Sequence, residues 1–195
     1  MALMWAANAA RIAAAVGVAG FLAACGGGAT SQSAGAASEL TAAAPHPQRS
    51  LRAKVSVLPP AAAGDLDSDR VLVRTGQSDM AVLAGARWSE RLPVLLQSRL
   101  TEMFDDAAKQ GVSGVKAYNL ETDVRAFELV AVAKRVEIDI AVKVVSADAG
   151  RVVATRTFKA EAPVASTDPE VVTAALDGAL QGIMARIFAF VASSI

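Results

Sequence analysis

The chain has 195 residues, with 19 basic and 19 acidic side chains and no formal net charge. That balance argues against a nucleic-acid partner, which calls for a basic excess, and against a charged tail. Hydrophobic residues reach 53% but aromatics only 5%, so alanine inflates the apolar fraction, and the length suits one core with extensions.

The N-terminus carries the first organised signal. Arg11 is followed by an uninterrupted apolar run over 12–24. That run is too short to cross a bilayer core, which takes about 20 residues, but fits the apolar region of a secretory signal. It ends in Leu22-Ala23-Ala24-Cys25, the aliphatic-small-small-Cys order of a bacterial lipobox. Cys25 is the sole cysteine, so it cannot close an internal disulfide. Its thiolate is the nucleophile suited to accept a diacylglycerol as a thioether. Cleavage between Ala24 and Cys25 then frees an α-amino group for an N-acyl chain. One chain anchors marginally and two or three anchor durably. Residues 1–24 therefore read as a lipoprotein signal peptide, with lipidation at Cys25. Gly26, where an Asp would favour inner-membrane retention in enteric bacteria, is compatible with the outer membrane.

Residues 25–50 read as the lipidated cysteine and a flexible tether. They are rich in Gly, Ala, Ser and Thr, and Leu40 is their one large apolar residue. Such a composition cannot bury enough surface to offset its ordering entropy, and about 25 residues give a typical reach of ~25–30 Å. The sole histidine, His46, sits between Pro45 and Pro47 and reads as a solvated linker residue.

The body, 51–195, opens with alternating strands over 51–60 and 69–76, then 80–88. The period then changes. Leu92, Leu95, Leu96, Leu100, Met103, Phe104 and Ala107 follow i, i+3, i+4 spacing and predict a helix over 89–110, capped by Ser89, stapled by Trp88 and ended by Gly111. Strands are expected at 115–120, 123–133, 135–147 and 151–162, with a hairpin turn at 148–150. A last helix should open at Thr167, with Glu170 completing a capping box and Pro169 in the first turn. Its main stripe is Val172, Ala175, Leu176, Ala179, Ile183 and Ile187. The pattern predicts an α+β two-layer sandwich: a mixed or antiparallel sheet with both amphipathic helices on one face. Val136, Ile138, Ile140, Val142 and Val144 alternate with Glu137, Asp139, Ala141 and Lys143, so the other face should be wet or covered by a partner.

No catalytic constellation assembles. The body lacks histidine and cysteine, so no Cys-His or Ser-His-Asp site can form. The DLDSD stretch, 65–69, starts like a calcium loop, but Arg70 and Gly76 replace the glycine and glutamate the loop needs at positions six and twelve. Glu137 and Asp139 could be read as a carboxylate pair, but at i and i+2 on an amphipathic strand they are the solvent face. The expectation is no enzyme, no metal and no cofactor beyond the acyl chains on Cys25.

The body, with the lipobox, resembles the ABC-type transport auxiliary lipoprotein family, the PqiC-like proteins, over 51–189. The likeness rests on VSVLPP in the first strand, ARWSERLPVLLQSRL at 86–100, YNLETDVRAFEL at 118–129 and GRVVATRTFKAEAPV at 150–164. The resemblance implies a lipid-anchored, periplasm-facing auxiliary lipoprotein without an enzymatic site. It implies partners too: an ATPase, a permease and a protein with MCE domains, together moving lipids or other hydrophobic compounds between inner and outer membranes. Arg87, Trp88, Phe127 and Phe158 match the family-motif core positions. Met80 and Leu83 stand where the family often has a strand tyrosine. A different class of protein shares such a fold: a structural or assembly lipoprotein of a lipopolysaccharide or secretion machine. A wet sheet face and an alanine-rich last helix would permit homo-oligomers.

Overall fold

A computed structural model describes residues 37–41, 51, 53–109 and 116–195, with Lys109 described by its backbone alone. In chain order the elements are β1 (Ala37–Ser38), β2 (Lys54–Val57), β3 (Ala61–Ala62), a 3-10 turn (Gly64–Leu66), β4 (Arg70–Arg74), β5 (Met80–Trp88), α1 (Leu92–Lys109), β6 (Ala117–Val130), β7 (Arg135–Ser146), β8 (Val152–Pro163) and α2 (Pro169–Ser194). The fold is α+β. One open, mixed eight-stranded sheet runs in the order β1-β5-β4-β6-β7-β8, and β2 and β3 pair with β6 in line with β4.

The period of β7 sets the layers. Its inward residues Val136, Ile138, Ile140, Val142 and Val144 are all buried, and both helices cover that face in one continuous core. Leu95, Leu96 and Leu100 of α1 and Leu176, Leu180 and Ile183 of α2 belong to that core, and the Phe104 ring of α1 lies 5.8 Å from the Phe188 ring of α2. By length and composition α2 is apolar enough to cross a membrane, but its large residues are packed in the core. The β7–β8 hairpin turns through Gly150, whose φ of 63° suits glycine.

β6 is one strand where the sequence suggests two. Glu121 and Thr122 look like a break, yet they alternate within the strand: Glu121 reaches Lys143 on the wet face and Thr122 turns inward. A bulge between Val124 and Ala126 then shifts the phase. Inward positions pass from Tyr118, Leu120 and Val124 to Phe127 and Leu129.

Helix starts also differ from expectation. Ser89 does not cap α1, because the helix starts at Leu92; Ser89 lies at the end of the sheet, its N–H donating to the Ser38 carbonyl. Arg91 precedes the helix instead and accepts from the N–H groups of Val94 and Leu95, while the Leu92 N–H donates to the Ser68 carbonyl. For α2 the N-cap is Asp168, without a side-chain capping bond, so the expected box of Thr167 and Glu170 does not form. Asp168 is engaged with the Ser166 hydroxyl at 2.7 Å.

The stretch expected as tether departs from that expectation over 37–41. Ala37 and Ser38 pair in parallel with Arg87 and Trp88, Leu40 is fully buried, and the Thr41 N–H donates to Asp177 at 2.8 Å. One leucine in a polar segment gives no period, so this packing is invisible to pattern. Packing of the chain therefore begins ahead of Leu51.

Candidate functional site

The anchor residues of the sequence reading, Ala24 and Cys25, lie outside the described residues, as do the signal segment 1–24 and His46. Of the family-motif positions, Trp88 and Phe127 are each 1% exposed and meet edge to face with centroids 5.6 Å apart. Phe158 is buried beneath Phe190, and Arg156 and Arg186 lie over its ring at 5.4 and 5.9 Å. Arg87 is not a core residue. Strand alternation points it away from Trp88, and its half-exposed side chain pairs with Asp69 at 3.3 Å.

The helix-free face of the sheet is a lattice of opposed charges. Asp139 takes Lys159 at 2.7 Å, Glu137 takes Arg135 at 2.9 Å, and Arg135 also reaches Glu161 at 3.2 Å. Hydrogen bonding to Glu137 raises the Arg135 guanidinium above its ordinary pKa, and the charge of Glu161 adds to the effect. Arg125 pairs with Asp123 at 3.0 Å. Glu137 and Asp139 are therefore two members of this lattice, each neutralised by its own cation. Pairs this exposed contribute about 0–1 kcal/mol each, so the lattice solubilises the face more than it stabilises the fold.

One pair stands apart. The Glu128 side chain is 3% exposed and accepts from Arg74, tying β4 to β6. Sequence pattern missed it because the bulge near Arg125 breaks the alternation that would have placed Glu128. The calcium-like stretch is likewise engaged: Asp67 pairs with Arg91, Asp69 with Arg87, and the Ser68 hydroxyl donates to the Asp65 carbonyl. Among the described residues no group of acidic, histidine or cysteine side chains could hold a metal.

Concavities flank the proline turn after β2. A notch of about 490 Å³ lies between Leu58, Pro59 and the charged rows of Arg125 and Lys143. On the other side of Pro59, about 360 Å³ opens toward Arg91, Pro93 and Gln97. A further concavity of about 570 Å³ lies between β8 and α2, beside Ala160, Gly178, Gly182 and Arg186. β5 also leaves apolar surface exposed. Gly85, at φ 79°, kinks it, and the pairing with β4 jumps so that Val82 faces Leu72 while Arg87 faces Arg70. A Cβ at Gly85 would also touch Pro169 at 3.4 Å. Beyond the kink Met80 and Val82 are 37% and 43% exposed.

The model of the ABC-type transport auxiliary lipoprotein component family matches residues 37–188. The chain belongs to that family. The match starts at β1, so the auxiliary lipoprotein domain includes the packed stretch ahead of Leu51. Among solved structures, protein XCC0632 from Xanthomonas campestris, of family DUF330, is 27% identical with a TM-score of 0.73, covering 82% of this chain and 96% of its own. An uncharacterized protein, 15% identical with a TM-score of 0.62 and coverage of 74% and 95%, shares the fold. The comparison with curated proteins found no match. Membership associates this auxiliary lipoprotein with an ABC transport system, and with a membrane-anchored, periplasm-facing setting.

Proposed function

We propose that this lipoprotein is the docking adaptor of an MCE-type ABC transport system, which moves lipids or other hydrophobic compounds between inner and outer membranes. It is held at the outer membrane by acyl chains on Cys25, faces the periplasm, and works without turnover or a further cofactor. The observation that carries this reading is the family match over 37–188, joined to the lipobox Leu22-Ala23-Ala24-Cys25. The sheet face supports it: carboxylates already held by cations, such as Glu137 and Asp139, suit a docking surface better than proton transfer.

The partners are the MCE-domain protein, the permease and the ATPase. Affinity purification of the intact lipoprotein from membranes tests this. Recovery of the MCE protein is the expected result. Recovery of a secretion or lipopolysaccharide component in its place would replace this reading with that of an assembly lipoprotein. Glu137→Gln should leave the cellular phenotype unchanged, and a lost phenotype in a folded variant would reopen an enzymatic role.

A further inference from the structure

The notch beside Leu58 is a break in the sheet. β2 pairs with β6 as far as Val57 opposite Leu120, and β3 resumes the pairing with Ala61 opposite Asp123. Pro59 and Pro60 lie between them and have no N–H to offer a ladder. Leu58, Pro59, Ala61 and Ala141 give the notch apolar walls, and its volume of about 490 Å³ is that of a small-ligand cleft. Leu58 is exposed there.

We propose that this notch binds a single acyl chain with one anionic head, as in a fatty acid. The charges on its rim select the head. Arg125 and Lys143 line the notch, Arg125 held by Asp123 at 3.0 Å and Lys143 only loosely by Glu121 at 3.9 Å. Arg70 adds a cation beside them. Val71 and Val73 are buried in the core, so alternation turns Arg70 to the helix-free face. Leu72 stands opposite Glu128 of β6, and two residues back along that register Arg70 comes level with Ala126, next to Arg125. Arg70 also lies directly opposite Arg87, which takes Asp69 at 3.3 Å. No carboxylate among the described residues pairs with Arg70. Like charges placed directly opposite repel, so an anion here relieves the pair.

The same features disfavour other occupants. An added strand finds only Glu121 and Thr122 between the ends of β2 and β3 on this side of β6, too short a stretch for a ladder. An anion without an apolar chain would leave Leu58 and Pro59 in water, and an uncharged chain would leave Arg70 unmatched. Asp123 and Glu121 already offset Arg125 and Lys143, so a singly charged head suits the rim better than a polyanion. The site stands on this chain's own residues and does not depend on the MCE partnership proposed above.

Photocrosslinking with a diazirine-bearing palmitate tests this, read by peptide mass spectrometry on the intact protein in phosphatidylcholine nanodiscs, whose lipid has no net charge. The label should concentrate on peptides covering 54–62 and 117–125. Ala61→Trp, which fills the notch from an exposed position, should lower that label at least about tenfold. Arg70→Gln should lower it about threefold, and because that side chain is exposed and unpaired, this variant keeps the test decisive should the tryptophan disturb the fold. The uncharged diazirine alcohol of the same length should label the parent's notch about threefold less than palmitate does, and equally in parent and Arg70→Gln. Label spread evenly over the sheet, or unchanged in both variants, overturns the proposal. Equal labelling of the parent by alcohol and palmitate overturns the anionic head. A chain that takes no palmitate can still be recovered with an MCE protein, so the two readings fail separately.

Discussion

β8 and β5 both border the sheet, and their sequences treat that border differently. β8 carries Arg156, Lys159 and Glu161 along its length, and Arg186 of α2 donates to the Lys159 carbonyl at 2.6 Å. Charges and a satisfied carbonyl discourage any added strand. β5 has no charge between Met80 and Ala86, exposes Met80 and Val82, and already accepts β1 at its far end. One border is closed by its own side chains. The other carries none of these charges, and β1 pairs with its far end.

The contrast depends first on β5 being rooted in the core. Trp88→Ala removes the ring that meets Phe127 and should cost about 3–5 kcal/mol in urea unfolding. A loss below about 1 kcal/mol would mean that the root of β5 is not set by this contact. Next is the link between the β4–β5 side and the rest of the sheet. Glu128→Ala leaves Arg74 without its buried acceptor and should cost about 2 kcal/mol, less than a fully buried pair because Arg74 still reaches water. An unchanged unfolding midpoint would show that hydrogen bonding of β4 to β6 suffices. The smallest effect belongs to the closed border. Arg186→Ala removes a hydrogen bond and a cation over Phe158, about 1 kcal/mol on an exposed residue. Sedimentation should then show a larger species than the parent forms, and a variant that sediments like the parent would show that β8 needs no such guard.

Much of this was legible in the sequence where one period held over many residues. The alternation of β7 gave both faces of the sheet, and the spacing of Leu92 through Ala107 gave α1. What escaped were places where two rules overlap. The bulge near Arg125 reversed the inward set of β6 and hid the buried Glu128. Ser89 looked like a cap, but the helix starts three residues later, at Leu92. β1 is two residues of Ala and Ser, placed by backbone pairing and by Leu40 beyond it, and carries no pattern of its own. For the site, Cys25 is readable because its neighbours Leu22, Ala23 and Ala24 form a motif. The Arg74–Glu128 pair is not readable, because it forms between strands far apart in the sequence.

An adaptor of this kind must be held to the membrane through Cys25. Palmitate labelling and membrane fractionation of the parent and of Cys25→Ser, expressed side by side, test that most directly. The parent should be labelled and sediment with membranes, and Cys25→Ser should lose both the label and the sedimentation. A Cys25→Ser chain that remains labelled and membrane-bound would contradict the anchor.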